Sequence, residues 1–63
     1  MLVQIIKSEK DSYWYAECIG EVFEVSDAKF ETARAGYDND YILEEDLGKN
    51  IWRHISKEDC KDY

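Results

Sequence analysis

The sequence contains no proline at all. A chain without proline is a poor candidate for a polyproline-type ligand of another domain. It holds one histidine and two cysteines, Cys18 and Cys60, far apart in the chain. A zinc site needs ligands in clustered pairs, so no structural zinc is expected. Basic residues are scarce: eight Lys and Arg stand against fifteen Asp and Glu, for a net charge of −7. A field of that sign repels phosphate backbones and anionic membranes and favours partners with basic surfaces. Long hydrophobic runs are missing too. The longest stretch at the start, residues 2–6, meets Lys7 long before the roughly 20 apolar residues of a membrane span. No signal peptide, linker, repeat or low-complexity tract is legible. These absences lead us to expect a cytoplasmic protein with free, partly buried thiols. A Cys18–Cys60 disulfide stays open if the last strand runs beside the loop that carries Cys18.

Length sets a further bound. Sixty-three residues form one domain, 1–63, and a chain this short buries only about 60 % of its unfolded surface. A large catalytic cleft is not expected beside so small a core.

Aromatic residues are what the chain does have. The stretch Tyr13-Trp14-Tyr15 is too bulky for a solvated loop without a reason. It leads through Gly20, where the chain can adopt a backbone angle other residues resist, into a strand over 21–26. There Val22, Phe23 and Val25 are β-formers set among glutamates, and Phe23 and Val25 read as core. Before it, residues 2–7 read as a strand with both faces largely apolar, as expected of a strand paired on both sides or curved into a barrel. Residues 8–12 are polar and turn-rich.

The segment 26–36 is ambiguous. Ser26 or Asp27 could cap a helix that Gly36 ends, whereas the alternation of Phe30, Thr32 and Arg34 favours a strand, and both readings stay open. A turn at 36–40 precedes a short strand at 41–44 and a loop at 45–50. Residues 51–55 alternate clearly, with Ile51, Arg53 and Ile55 on one face and Trp52 and His54 on the other. Residues 56–59 look like one helical turn capped by Ser56, and 60–63 like a final strand.

This pattern predicts an all-β fold, a five-stranded SH3-like barrel with a long loop after the first strand and a short helical turn before the last. Four stretches carry a further resemblance: Ile5-Ile6-Lys7-Ser8, Tyr13-Trp14-Tyr15, residues 19–25 and residues 55–60. On these the chain resembles a group of small uncharacterised SH3-like barrel proteins of phages and Gram-positive bacteria. The resemblance implies a fold and a phage association, but no chemistry. In SH3 domains proper, aromatics of the first long loop, a strand and the helical turn bind proline-rich peptides. Here the Ala-Leu-Tyr-Asp-Tyr motif is missing, and the helical turn lacks its proline and tyrosine.

Three constellations remain. His54 has Ser56 two positions on, the same face of a strand, but no orienting acid or oxyanion donor is legible, so a surface or packing role is expected and no enzyme. The acidic rim Asp38, Asp40, Glu44, Glu45 and Asp46 does not match a calcium loop. It reads as a solvated face, or, with Asp11, Glu17 and Glu21, as a phosphate mimic that blocks a basic groove. The aromatics Tyr13, Trp14, Tyr15 and Trp52 either close the barrel or form an interface hot spot. If Trp14 points inward, strand alternation leaves Tyr13 and Tyr15 outside.

The expectation is therefore a non-enzymatic protein-interaction module with no cofactor. Its partner-binding residues would be Tyr13, Trp14, Tyr15 and Trp52 with Asp11 and Glu17. The alternative is a nucleic-acid mimic built on the rim. Binding to single-stranded nucleic acid would need a basic groove that the scattered lysines and arginines do not form. Pairing through an exposed strand edge leaves homodimerisation open.

Overall fold

A computed structural model describes residues 1–27, 34, 36, 37 and 39–63. Five short strands make one antiparallel sheet: β1 (Leu2–Ile5), β2 (Val22–Ser26), β3 (Asp40–Leu43), β4 (His54–Ser56) and β5 (Cys60–Asp62), in the order β4-β3-β2-β1-β5. One 3₁₀ turn, Glu44–Asp46, follows β3, and another, Lys57–Asp59, joins β4 to β5. The fold is all-β. Its sheet is open, because β4 and β5 are edges rather than partners of each other. No described helix is long and apolar enough to cross a membrane. The helix-or-strand question over 26–36 falls largely outside the described residues.

β1 is an interior strand that pairs on both sides, Val3 facing Phe23 of β2 and Asp62 of β5. Only one of its apolar faces is buried: Val3 and Ile5 are covered, whereas Leu2 and Ile6 are exposed. β2 serves two neighbours in succession. Its first half pairs with β1, and Val25 and Ser26 pair with Leu43 and Ile42 of β3. Val25 is fully buried and Phe23 packs against the same cluster, with Val3, Ile5, Tyr15, Leu43, Ile55 and Cys60 at its centre. Cys18 and Cys60 are both free thiols.

The strand expected over 51–55 is shorter and later. β4 covers His54–Ser56 only, and Ile51 is 85 % exposed. The cause lies in the neighbour: β3 ends at Leu43 and turns away, so Ile51 and Trp52 have no strand to pair with. Instead the Arg53 N–H donates to the Asp46 carboxylate at 2.8 Å. The turn before β5 forms as expected, with the Ser56 hydroxyl accepting from the Glu58 N–H.

The excursion between β1 and β2 hangs on Asp59. The Asp59 carbonyl accepts from the N–H groups of Ile6 and Lys7, at 2.9 and 3.3 Å. Its carboxylate Oδ2 accepts from the Glu9 N–H at 3.3 Å and from the Tyr15 hydroxyl at 2.5 Å. The excursion rejoins the sheet at Gly20, whose N–H donates to the Ile5 carbonyl at 2.8 Å. The φ of +91° there is one that a side chain would resist.

Candidate functional site

Residues 10–18 run through successive tight turns, Tyr13 N–H to Lys10 carbonyl, Ala16 to Tyr13, Cys18 to Tyr15. Strand alternation therefore does not govern the three aromatics. Tyr15, not Trp14 alone, goes inward: it is 2 % exposed, and its hydroxyl lies against Asp59 and the Ser56 N–H. Burial first, and the Asp59 hydrogen bond second, push the Tyr15 phenol well above its ordinary pKa. Tyr13 and Trp14 stay half-buried on the surface of the core. Trp14 is fixed by its indole N–H, which donates to the His54 carbonyl at 2.8 Å, and by edge-on contacts with Tyr15 and Phe23.

This bond brings the excursion against β4. Between them opens a cleft of about 500 Å³ lined by Tyr13, Trp14, Tyr15, Tyr37, Asp40 and His54, with Lys10, Ser12 and Ser56 at its margins. It is larger than so short a chain suggested, because the cleft lies between the excursion and the edge of the sheet, with Tyr15 of the core as its floor. Its volume falls in the range of small-ligand sites.

One wall follows from register. Asp40 pairs with Ser56 and Ile42 with His54, so Asp40 and His54 are diagonal neighbours on one face of β3 and β4. Tyr41, Leu43 and Ile55 face the core from the other. Asp40 Oδ2 and His54 Nδ1 are 2.5 Å apart. The Tyr37 ring stacks on the imidazole at 4.2 Å between centroids. Trp52 does not line the cleft. It stands edge-on to His54 and Tyr37, behind that wall.

Of the aromatics proposed for binding, Tyr13 and Trp14 thus meet in the cleft, Tyr15 forms its floor from within the core, and Trp52 braces it. Asp11 and Glu17 are exposed on the excursion and do not line it. Tyr37, Asp40 and His54 join the site only through the fold. The one sequence signal was that His54 and Ser56 share a face.

The acidic rim divides. Asp40 lines the cleft, and Glu44 is exposed. Asp46 is 4 % exposed and takes hydrogen bonds from the Arg53 backbone, the Arg53 guanidinium and Lys49. Arg53, followed by the smaller effect of Lys49, holds its carboxyl well below the usual carboxylate range. Glu45 pairs with the same guanidinium at 2.6 Å. Asp38 lies outside the described residues. Among the described residues no group of three or more His, Cys, Asp and Glu side chains is placed to hold a metal ion. The chain matches no protein-family model, no curated protein and no solved structure.

Proposed function

We propose that the chain is a small non-enzymatic protein-interaction module, and that the cleft between the aromatic excursion and β4 receives an extended segment of a partner protein. The observation that carries this reading is the cleft's wall: Tyr13, Trp14 and Tyr37 present incompletely buried rings there, each held by a fixed neighbour. Rigid, amphipathic aromatic rings in a shallow recess are the usual anchors of protein recognition. A catalytic reading has less support. The Ser56 hydroxyl is engaged in capping the turn that follows it, and Tyr37 covers one face of the imidazole.

The finer fold reading belongs here as well. A long excursion after β1, a 3₁₀ turn before β5 and a β2 that serves two neighbours are the features of an SH3-like barrel, and we read the open sheet as one. The two free thiols support a reducing compartment, hence the cytoplasm.

The test is selection from a random peptide display library on the folded protein, followed by ¹H–¹⁵N shift mapping with an enriched peptide. The expected result is shifts at Tyr13, Trp14, Tyr37 and His54 that vanish in Tyr13→Ser. Shifts confined to other surfaces, or enrichment unchanged by Tyr13→Ser, would overturn the proposal.

A further inference from the structure

We infer that the cleft seats a cationic side chain, an arginine or lysine of the partner segment; this rests on the reading of the cleft as a protein-docking site.

Nearly every fixed group on its wall offers electron density. Tyr13, Trp14 and Tyr37 line it with aromatic rings, one face of Trp14 under Arg53 and one of Tyr37 on His54, and Asp40 adds a carboxylate. The His54 imidazole is tied to that carboxylate through Nδ1 at 2.5 Å, which fixes the wall in place. Cations are attracted to aromatic faces, most strongly where water is excluded.

The chain already makes this contact with its own cations beside the cleft. The Lys10 ammonium stands 6.0 Å from the Tyr13 centroid, and the Arg53 guanidinium 5.4 Å from the Trp14 centroid. The two differ in how they are held. Arg53 is pinned by Asp46 and Glu45. Lys10 is exposed and makes no ion pair among the described residues, so it is a displaceable occupant of the Tyr13 face. The net charge of −7 raises the local concentration of a cationic partner. An anionic segment would meet Asp40 inside the cleft and an acidic surface around it.

The experiment uses the full chain and four peptides, N-acetyl-Gly-Ser-X-Ser-Gly-amide with X as arginine, lysine, citrulline or glutamate. Citrulline keeps the shape of arginine and removes its charge. Each is titrated to about 5 mM, into the millimolar range expected of a single side chain, with ¹H–¹⁵N spectra and the Trp14 indole resonance as readout. The arginine and lysine peptides should shift Tyr13, the Trp14 indole, Tyr37 and His54. Citrulline should bind about tenfold more weakly, and glutamate weaker still. Lys10→Met should tighten the arginine peptide about two- to fivefold by freeing the Tyr13 face. Lys61→Met, the same charge change on exposed β5, should move it much less. Tyr37→Leu should weaken it severalfold, with changes in the free protein's spectrum confined to the neighbourhood of His54 and Trp52.

Citrulline or glutamate peptides binding the cleft as well as arginine would overturn the cation assignment and leave the docking reading standing. So would a Lys10→Met that weakens arginine binding. Arginine and lysine peptides that shift only residues away from the cleft would overturn the assignment. If display-selected peptides also avoid the cleft, the docking reading falls with it.

Discussion

Replacing Tyr15 by phenylalanine removes one oxygen from the core and leaves the ring in place. That oxygen donates to Asp59, which is 0 % exposed, and accepts weakly from the Ser56 N–H. The variant leaves a fully buried carboxylate with the Glu9 N–H as its remaining donor, since Asp59 Oδ1 has no hydrogen-bond partner among the described residues. Hydrogen bonds to charged groups contribute about 1.5–3 kcal/mol, and leaving a buried charge short of partners costs toward the upper end. We therefore expect a loss of about 2–3 kcal/mol. The domain as a whole, at its size, has only about 3–5 kcal/mol to lose. Thermal unfolding should move down by about 10–20 °C. Urea unfolding should show a lower midpoint with an unchanged slope.

Asp59→Asn should cost a comparable amount, about 1–3 kcal/mol: the amide oxygen keeps both acceptor roles and no charge is stranded, but the NH2 group takes the buried, unpartnered place of Oδ1. The double-mutant cycle should show a coupling of about 1–2 kcal/mol. The comparison also has a pH signature. The phenol's folded pKa lies above its ordinary value near 10, so the unfolded chain loses this proton first. The stabilisation is fully present below about pH 10 and fades as pH rises beyond it. The gap between wild type and Tyr15→Phe should narrow over that range. A Tyr15→Phe within 0.5 kcal/mol of wild type, about the size of an ordinary surface change, would refute the view that Asp59 holds the excursion through Tyr15.

Other outcomes follow from single contacts. Asp46 titrates below the usual carboxylate range because of Arg53, so its contribution is present above about pH 4 and is lost as pH falls below it; acid titration of wild type against Asp46→Asn should show a shallower acid limb in the variant. Gly20→Ala forces a side chain into φ +91° with nothing near its Cβ, so it should lose about 1 kcal/mol or more from strain alone, read by urea unfolding. Cys60 is buried, and burial first, then Asp59, push its thiol up; iodoacetamide should label it only on unfolding, with mass spectrometry after digestion as the readout, while the half-buried Cys18 reacts first.

What the sequence made legible was local. The apolar faces of residues 2–7 announced a strand paired on both sides or curved into a barrel; β1 is shorter, Leu2–Ile5, and has two neighbours, but only its Val3 and Ile5 face is buried. The Ser56 cap announced the turn before β5. The apolar residues of 21–26 announced β2 and its core residues. Failure came where a residue's surroundings are set by distant chain. Residues 51–55 alternate well enough for a strand, yet Ile51 is exposed because β3 has already turned away. Tyr15 is inward because turns, not a strand, carry it, and because Asp59 waits 44 residues on. The Asp40–His54 wall depends on the register of β3 against β4, which no period in the sequence encodes. Arg53 and Asp46 read as an isolated base and one more rim acid until the turn at 44–46 folds them together.

The same sorting bears on the reading of the acids as a phosphate mimic. Such a mimic needs carboxylates that are exposed, regularly spaced and unpaired. In residues 40–46 the structure spends Asp40 on His54 and Asp46 on Arg53; Glu45 pairs with Arg53 but stays exposed, as does Glu44. The two readings separate by salt and by charge reversal. Between about 0.1 and 1 M salt the screening length falls from about 10 to about 3 Å, which removes attraction between exposed charges and spares a contact seated among rings. A partner held in the cleft should weaken only in part across that range, as the acidic surface that attracts it is screened while the contact among rings is spared, be lost in Tyr13→Ser, and tolerate Glu44→Lys, whose side chain does not line the cleft. A partner released by salt, released again by Glu44→Lys, and indifferent to Tyr13→Ser would place the working surface on the acidic rim, and the cleft reading would be refuted.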